Sequence, residues 1–389
     1  MRLSSRFMNE HGTHSSFESH LVVSVDAVGL AFLTFQSSYS QVPQAARAKY
    51  LDALSLLKHE LVSPSSSLSD ATLLTVLLLD LFEKINGNNP QSTEGWMSHV
   101  DGALALMRLR GQENVRNHTA LRLSMRLSTN LIISSLAANH RVPLEVIRLR
   151  AEVEPFINAD DPKWRLSGLT VKYANLRGSM QEGSLSDADI LTQSKDLDME
   201  FVLLAKSVPP SWMYQSVYPA KVSERFFESH YDTYRDHLVT QTWNVLRAMR
   251  IFLNDTLRTS SQRNSAAFCE LDPNIPSEEY SSAIIDTMAK EICATTAQYT
   301  TCTEAKSKSI EIPAVETLRC YTIIFPLYTA GLYASEQTGI KPWVVKELRF
   351  MGNGIGIRNA NLVADVLERG DGTSPWSVYA MTGSYAFAA

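Results

Sequence analysis

The sequence predicts an all-α protein, a large multi-helix bundle of packed α-hairpins. Three observations predict it. Apolar residues recur with a period near 3.6 through almost every long segment, and alternating β-branched runs are nearly absent. The breaks between periodic segments carry Ser, Gly, Asn and Pro, which cap or stop helices.

The elements follow in order. Residues 18–36 and 43–62 form the first two helices, and SPSSS at 63–67 separates them from the next. Ser69-Asp70 then supplies an N-cap for a helix over 69–86, and the Asn, Gly and Pro of NGNNP at 86–90 end it. A helix over 94–110 stops at Gly111, and helices over 117–139 and 143–156 come next. From 159 to 196 the pattern weakens into Gly- and Ser-containing polar sequence, which reads as a mobile surface loop. Beyond it, periodicity predicts helices over 195–207, 225–257, 277–304, 313–335 and 342–368, with a second loop over 258–277. The organisation expected is a flexible N-terminus over 1–17, a helical domain over 18–370 and a tail over 371–389.

Composition narrows the function classes. The 389 residues carry 36 Lys+Arg against 41 Asp+Glu, a net charge of −5, so no global positive field gathers a polyanion. Direct nucleic-acid binding by these residues is not expected. The most apolar run, 71–82, is interrupted by Thr72, Thr75 and Asp80 and falls short of the roughly 20 residues a bilayer span needs. No secretory signal is expected from the first residues given. The cysteines, Cys269, Cys293, Cys302 and Cys320, form no CxxC pair and read as buried reduced thiols; no metal site and no cofactor are expected.

Local motifs divide between packing and binding. In WMSHVDGALALMRLRG, residues 96–111, Trp96, His99, Val100, Ala103, Leu104, Leu106, Met107 and Leu109 share a broad apolar stripe. His99 there fits a satisfied helix–helix contact better than a general base. Gly102 inside the helix is weakly unfavourable, by about 1 kcal/mol against Ala, and implies close approach of a neighbouring helix. GNGIG at 352–356 resembles a phosphate loop, but no strand precedes it, so it reads as a turn or helix start with glycines allowing tight packing. His230 and His237 fall two turns apart on the helix expected over 225–257, near Tyr231, Asp232, Tyr234, Asp236 and Trp243. They read as a solvated face or a polar pocket wall. SVPPSWMY at 207–214 is an extended segment whose aromatics either plug one end of the core or rim an apolar pocket. Together these nominate Trp96, His99, Trp212, Tyr214 and Trp243 as pocket lining. No nucleophile elbow and no His-Glu-x-x-His pair occur, so no catalytic residue is nominated.

The order of these pieces carries more than any one of them. VDAVGLAFLTF, ARAKYLDALSLLKHEL, DATLLTVLLLDLFE and WMSHVDGALALMRLRG, followed by VPPSWMY, YDTYRDHLVTQTWNVLRAMRIFLND, CYTIIFPLYTAG and MGNGIGIRNANLVADVLE, resemble the regulatory region of fungal zinc binuclear cluster transcription factors. The resemblance covers about residues 20–370. It implies a helical regulatory domain that acts through partner proteins, self-association or a small apolar ligand, in the nucleus, and governs a metabolic or specialised-metabolite pathway. The family's six-cysteine DNA-binding cluster has no counterpart here, since the first cysteine is Cys269. A different class, a helical pocket protein holding an apolar metabolite and turned to biosynthetic catalysis, is the alternative.

Overall fold

The computed structural model describes residues 19–36, 41–63, 66, 68–86, 93–220, 224–264, 276–304 and 314–382. The expected flexible N-terminus, the NGNNP stop and Cys269 lie outside them. The architecture is all-α, with one small strand pair, and the chain divides into two compact units over 1–82 and 83–389.

The first unit contains α1 (Ser19–Gln36), α2 (Gln41–Glu60) and the start of α3 (Asp70–Asn86). Ser69 caps α3 as predicted, its hydroxyl accepting the Thr72 N–H at 3.0 Å. Ala53 and Leu57 of α2 meet Leu79 of α3, Tyr50 stacks on Phe82 at 4.6 Å between ring centroids, and Val23 of α1 packs against this cluster.

The second unit is built on α9 (His237–Asn264) and α12 (Ala314–Tyr333). Around them stand α4 (Thr93–Arg110), α5 (His118–Ala138), α6 (Leu144–Val153), α7 (Pro162–Gln181), α8 (Asp187–Lys206), α10 (Glu278–Ala294), α11 (Thr296–Glu304), α13 (Ile340–Asn353), α14 (Arg358–Arg369) and α15 (Pro375–Thr382). Phe252 of α9 lies at the centre of the core, with the rings of Phe325, Tyr333 and Trp376 within 5.5–6.4 Å and Tyr173 stacked at 6.2 Å.

Several expectations need correction. The mobile loop over 159–196 is mostly two helices, α7 and α8. Asp161 caps α7 by accepting the Trp164 N–H at 3.0 Å, and Pro162 sits in its first turn, where a missing donor is harmless. Ser186 and Asp189 form a reciprocal capping box for α8. The buried positions of α7, among them Leu166, Thr170, Tyr173, Leu176 and Ser179, spread around the helix, so no one-sided stripe marks it in the sequence. The helix expected from 225 begins only at His237, because Tyr231–Thr233 pairs antiparallel with Gln215–Val217 as strands β2 and β1. His230 and His237 therefore do not share a helix. The single helices expected over 277–304 and 342–368 are each broken. Thr295 interrupts the first, and in the second a left-handed Gly356 with φ of +88° turns the chain between α13 and α14. The tail expected from 371 contains α15, with Trp376, Val378 and Tyr379 buried.

Glycine roles are redistributed as well. A Cβ on Gly102 would meet nothing within 4 Å, so the close approach inferred there does not occur among the described residues. It occurs at Gly178, where a Cβ would lie 2.5 Å from the Arg141 backbone nitrogen, and at Gly352, where it would collide with the Asn361 side chain. Only glycine lets α7 lie against the chain leaving α5. Beside that contact, left-handed Asn139 ends α5 and its carboxamide oxygen accepts from Arg177 of α7.

Candidate functional site

Three of the five nominated residues come together. Trp212 and Tyr214 arrive on the segment after α8, and Trp243 on the second turn of α9. The side chains of Trp96 and His99 lie outside what the structure describes. The Trp243 indole N–H donates to the Trp212 carbonyl at 2.8 Å, and Tyr214 meets Trp243 edge-on at 5.9 Å. Tyr234, which follows β2, completes the cluster at 5.2 Å from Tyr214. Ser216 of β1 donates to Asp232 of β2 at 2.7 Å, and Gln298 of α11 accepts the Tyr234 N–H and the Thr240 hydroxyl, each at 3.0 Å. The strand pair is thus fastened to α9 and α11.

Arg247, one turn beyond Trp243, fills the middle of this cluster and is 0% exposed. Its guanidinium carbon lies 5.4 Å from the Trp243 ring, 5.5 Å from Tyr214 and 5.8 Å from Tyr234. Nε donates to Glu291 of α10 at 2.8 Å and Nη1 to Asn244 at 3.2 Å. Burial works against its charge, yet Tyr234 and the Glu291 carboxylate hold Arg247 above its ordinary range. Burial also pushes the Tyr234 and Tyr214 hydroxyls up, so both stay protonated at neutral pH. The ring faces and the carboxylate enclose the cation, and the arrangement is a clamp joining α9, α10 and the strand pair.

Empty space adjoins the clamp. Trp212 and Trp243, with Pro162, Leu204, Val208 and Leu246, line a narrow gap of about 10 Å³ that also touches Leu166 and Thr242. Leu166 and Thr242 equally wall a larger cavity of about 60 Å³ that opens to solvent, between α5, α7 and α9. Ile132 and Ile133 come from α5, Thr170 from α7 and Val245 from α9, and the wall is mainly hydrocarbon.

Lys163 is its charged member. It is half-buried, and no hydrogen bond or ion pair joins it to any described residue. Burial first, then the positive charges of Arg126 and Arg122, pull its pKa down to about 8, with Asp161 opposing. A lysine depressed in the folded state takes up a proton on unfolding at any pH between its folded and unfolded values, so its presence weakens the fold at neutral pH and less so in alkali. The unfolding free energy of the natural protein relative to Lys163→Met should therefore rise by about 1–2 kcal/mol between about pH 8 and about pH 10 in urea titrations. A constant difference would refute the depressed pKa.

Sequence reasoning missed Arg247 and Lys163, and it placed Tyr234 only beside His230 and His237. The four-residue spacing of Trp243 and Arg247 within WNVLRAMR was a readable signal for Arg247. Lys163 was hidden by the misread loop. Among the described residues no cluster of His, Cys, Asp or Glu suits a metal ion, and no helix is long and apolar enough to cross a membrane. Cys293 and Cys320 are buried and form no disulfide among the described residues, and burial pushes the Cys293 thiol up.

A family model described as the fungal specific transcription factor domain matches residues 10–333. No curated protein and no solved structure matches the chain.

Proposed function

Because this chain belongs to the family of fungal specific transcription factor domains, we propose that it regulates transcription of a metabolic or specialised-metabolite pathway through a small apolar ligand and a protein partner. The partner is another transcription-regulatory protein or a second copy of the chain, and the place of action is the nucleus. The observation that carries the regulatory role is the match over residues 10–333.

The geometry supports binding in preference to turnover. Arg247, the cation closest to the nominated aromatics, is neutralised by Glu291 and enclosed by rings, so it is not aimed at a reacting group. The cavity between α5, α7 and α9 exposes mostly hydrocarbon, while Thr129, Lys163, Ser167, Thr170, Gln241 and Thr242 supply polar groups to its wall, a mixture that suits a ligand site. A ligand there touches α5, α7 and α9 together and stabilises their mutual arrangement in proportion to its concentration over its Kd. That is how occupancy reaches a partner surface elsewhere on the unit.

The test is paired transcript and metabolite profiling of a deletion strain. Coordinated change of many transcripts, reversed by restoring the chain, is the expected result. Unchanged transcripts with accumulation of one unprocessed intermediate would replace the regulator by an enzyme.

A further inference from the structure

We propose that the cavity between α5, α7 and α9 selects a small amphipathic carboxylate, its anionic head held by Lys163 and its apolar body lying along Ile133, Leu166 and Val245. The inference rests on the ligand reading above and narrows it from apolar compounds in general to one charge class.

The geometry separates head from body. Lys163 is the second residue of α7 and stands on the cavity wall, while Leu166 and Thr170 continue the same face of α7 inward. On α5, Arg122, Arg126, Thr129 and Ile133 succeed one another at spacings of four, three and four residues, so one face runs from two guanidinium groups to hydrocarbon. Arg122 and Arg126 both act electrostatically on Lys163. The cations thus gather toward one end of the two helix faces and the apolar walls toward the other.

Charge complementarity then picks the occupant. The Lys163 ammonium has lost water without gaining a hydrogen bond, and the nearest influences on it are two like charges and Asp161, whose carboxylate is engaged in capping α7. A carboxylate supplies the absent acceptor and offsets the repulsion. A neutral alcohol offers a weaker acceptor, and an ammonium adds a further like charge. The Thr129, Thr170 and Thr242 hydroxyls along the cavity already donate to carbonyls of their own helices, so they offer a polar tail no free donor and leave the body apolar.

The experiment titrates the full chain with three probes of matched shape, 4-phenylbutyrate, 4-phenylbutanol and 4-phenylbutylammonium, by calorimetry at neutral pH. The carboxylate should bind about tenfold or more tightly than the alcohol, and the ammonium most weakly. In Lys163→Met, which removes a buried charge and is expected to fold, carboxylate affinity should drop to that of the alcohol while the alcohol is unchanged. Lys163→Arg should keep the preference. Equal binding of carboxylate and alcohol, or a preference that survives in Lys163→Met, would overturn the charge selection and leave the apolar-ligand reading standing. Binding of none of the three would overturn both, and the regulatory role would then be judged on transcripts alone.

Discussion

Replacing Arg247 by Ala should lower the unfolding free energy by about 3–5 kcal/mol, the largest loss expected from one side chain near the candidate site. The substitution removes a fully buried guanidinium that three aromatic rings and Glu291 surround. It leaves a void where the rings met the cation, and it strips Asn244 of one donor. Glu291 softens the loss, because its side chain is 31% exposed and water takes over part of the lost pairing. Arg247→Lys keeps the charge but not the planar fork that reaches Glu291 and Asn244 together, so it should lie between the natural protein and Arg247→Ala. Urea unfolding measures the energies, and amide hydrogen exchange at β1 and β2 tells where the clamp has failed. A loss under about 1 kcal/mol, with those strands still protected, would remove the clamp from the account.

Trp376→Ala should be comparably severe, about 3–5 kcal/mol, although only thirteen residues of the sequence follow it. The indole is 3% exposed and meets Phe252 and Phe325 at 5.5 Å each and Tyr379 at 6.3 Å. It also lies under the Arg177 guanidinium of α7, whose carbon is 5.8 Å from the ring. Truncation opens a hole at the meeting of α7, α9, α12 and α15, which the tightly packed rings cannot close. Because the change also removes a fluorophore, unfolding should be followed by circular dichroism. An effect below about 1 kcal/mol would mean that α15 is dispensable to the core.

These two residues also show what could be read in advance. The fold class was legible, because one-sided stripes mark helices such as α3, α5 and α14, and Ser69 announces its helix before any coordinate is known. Trp212, Tyr214 and Trp243 were legible as a group because two prolines force the chain to cross in front of a helix carrying a third large ring. What stayed hidden has a common cause. Helix α7 is buried around several sides and carries Lys163, Arg165, Arg177 and two glycines, so its sequence looks like loop. Its strongest local marks, Pro162 after Asp161, fall inside the segment expected to be a loop. Arg247 looked like one more charge on a long helix, since its four-residue spacing from Trp243 puts the two on one face without telling that the face is buried. Its burial follows from β2, and the antiparallel partner of β2 lies sixteen residues earlier at Ser216. The close approach assigned to Gly102 belonged instead to Gly178, because space around a glycine depends on which chain passes by, and for Gly178 that chain is residues 140–141.

The walls of the cavity come from residues 129–133, 163–170 and 238–245. A chain emerging from the ribosome therefore has no enclosed binding space until about residue 245 has been made, even though α5 and α7 can dock as a pair long before. On the proposed ligand reading, capture must wait until most of the polypeptide has been made.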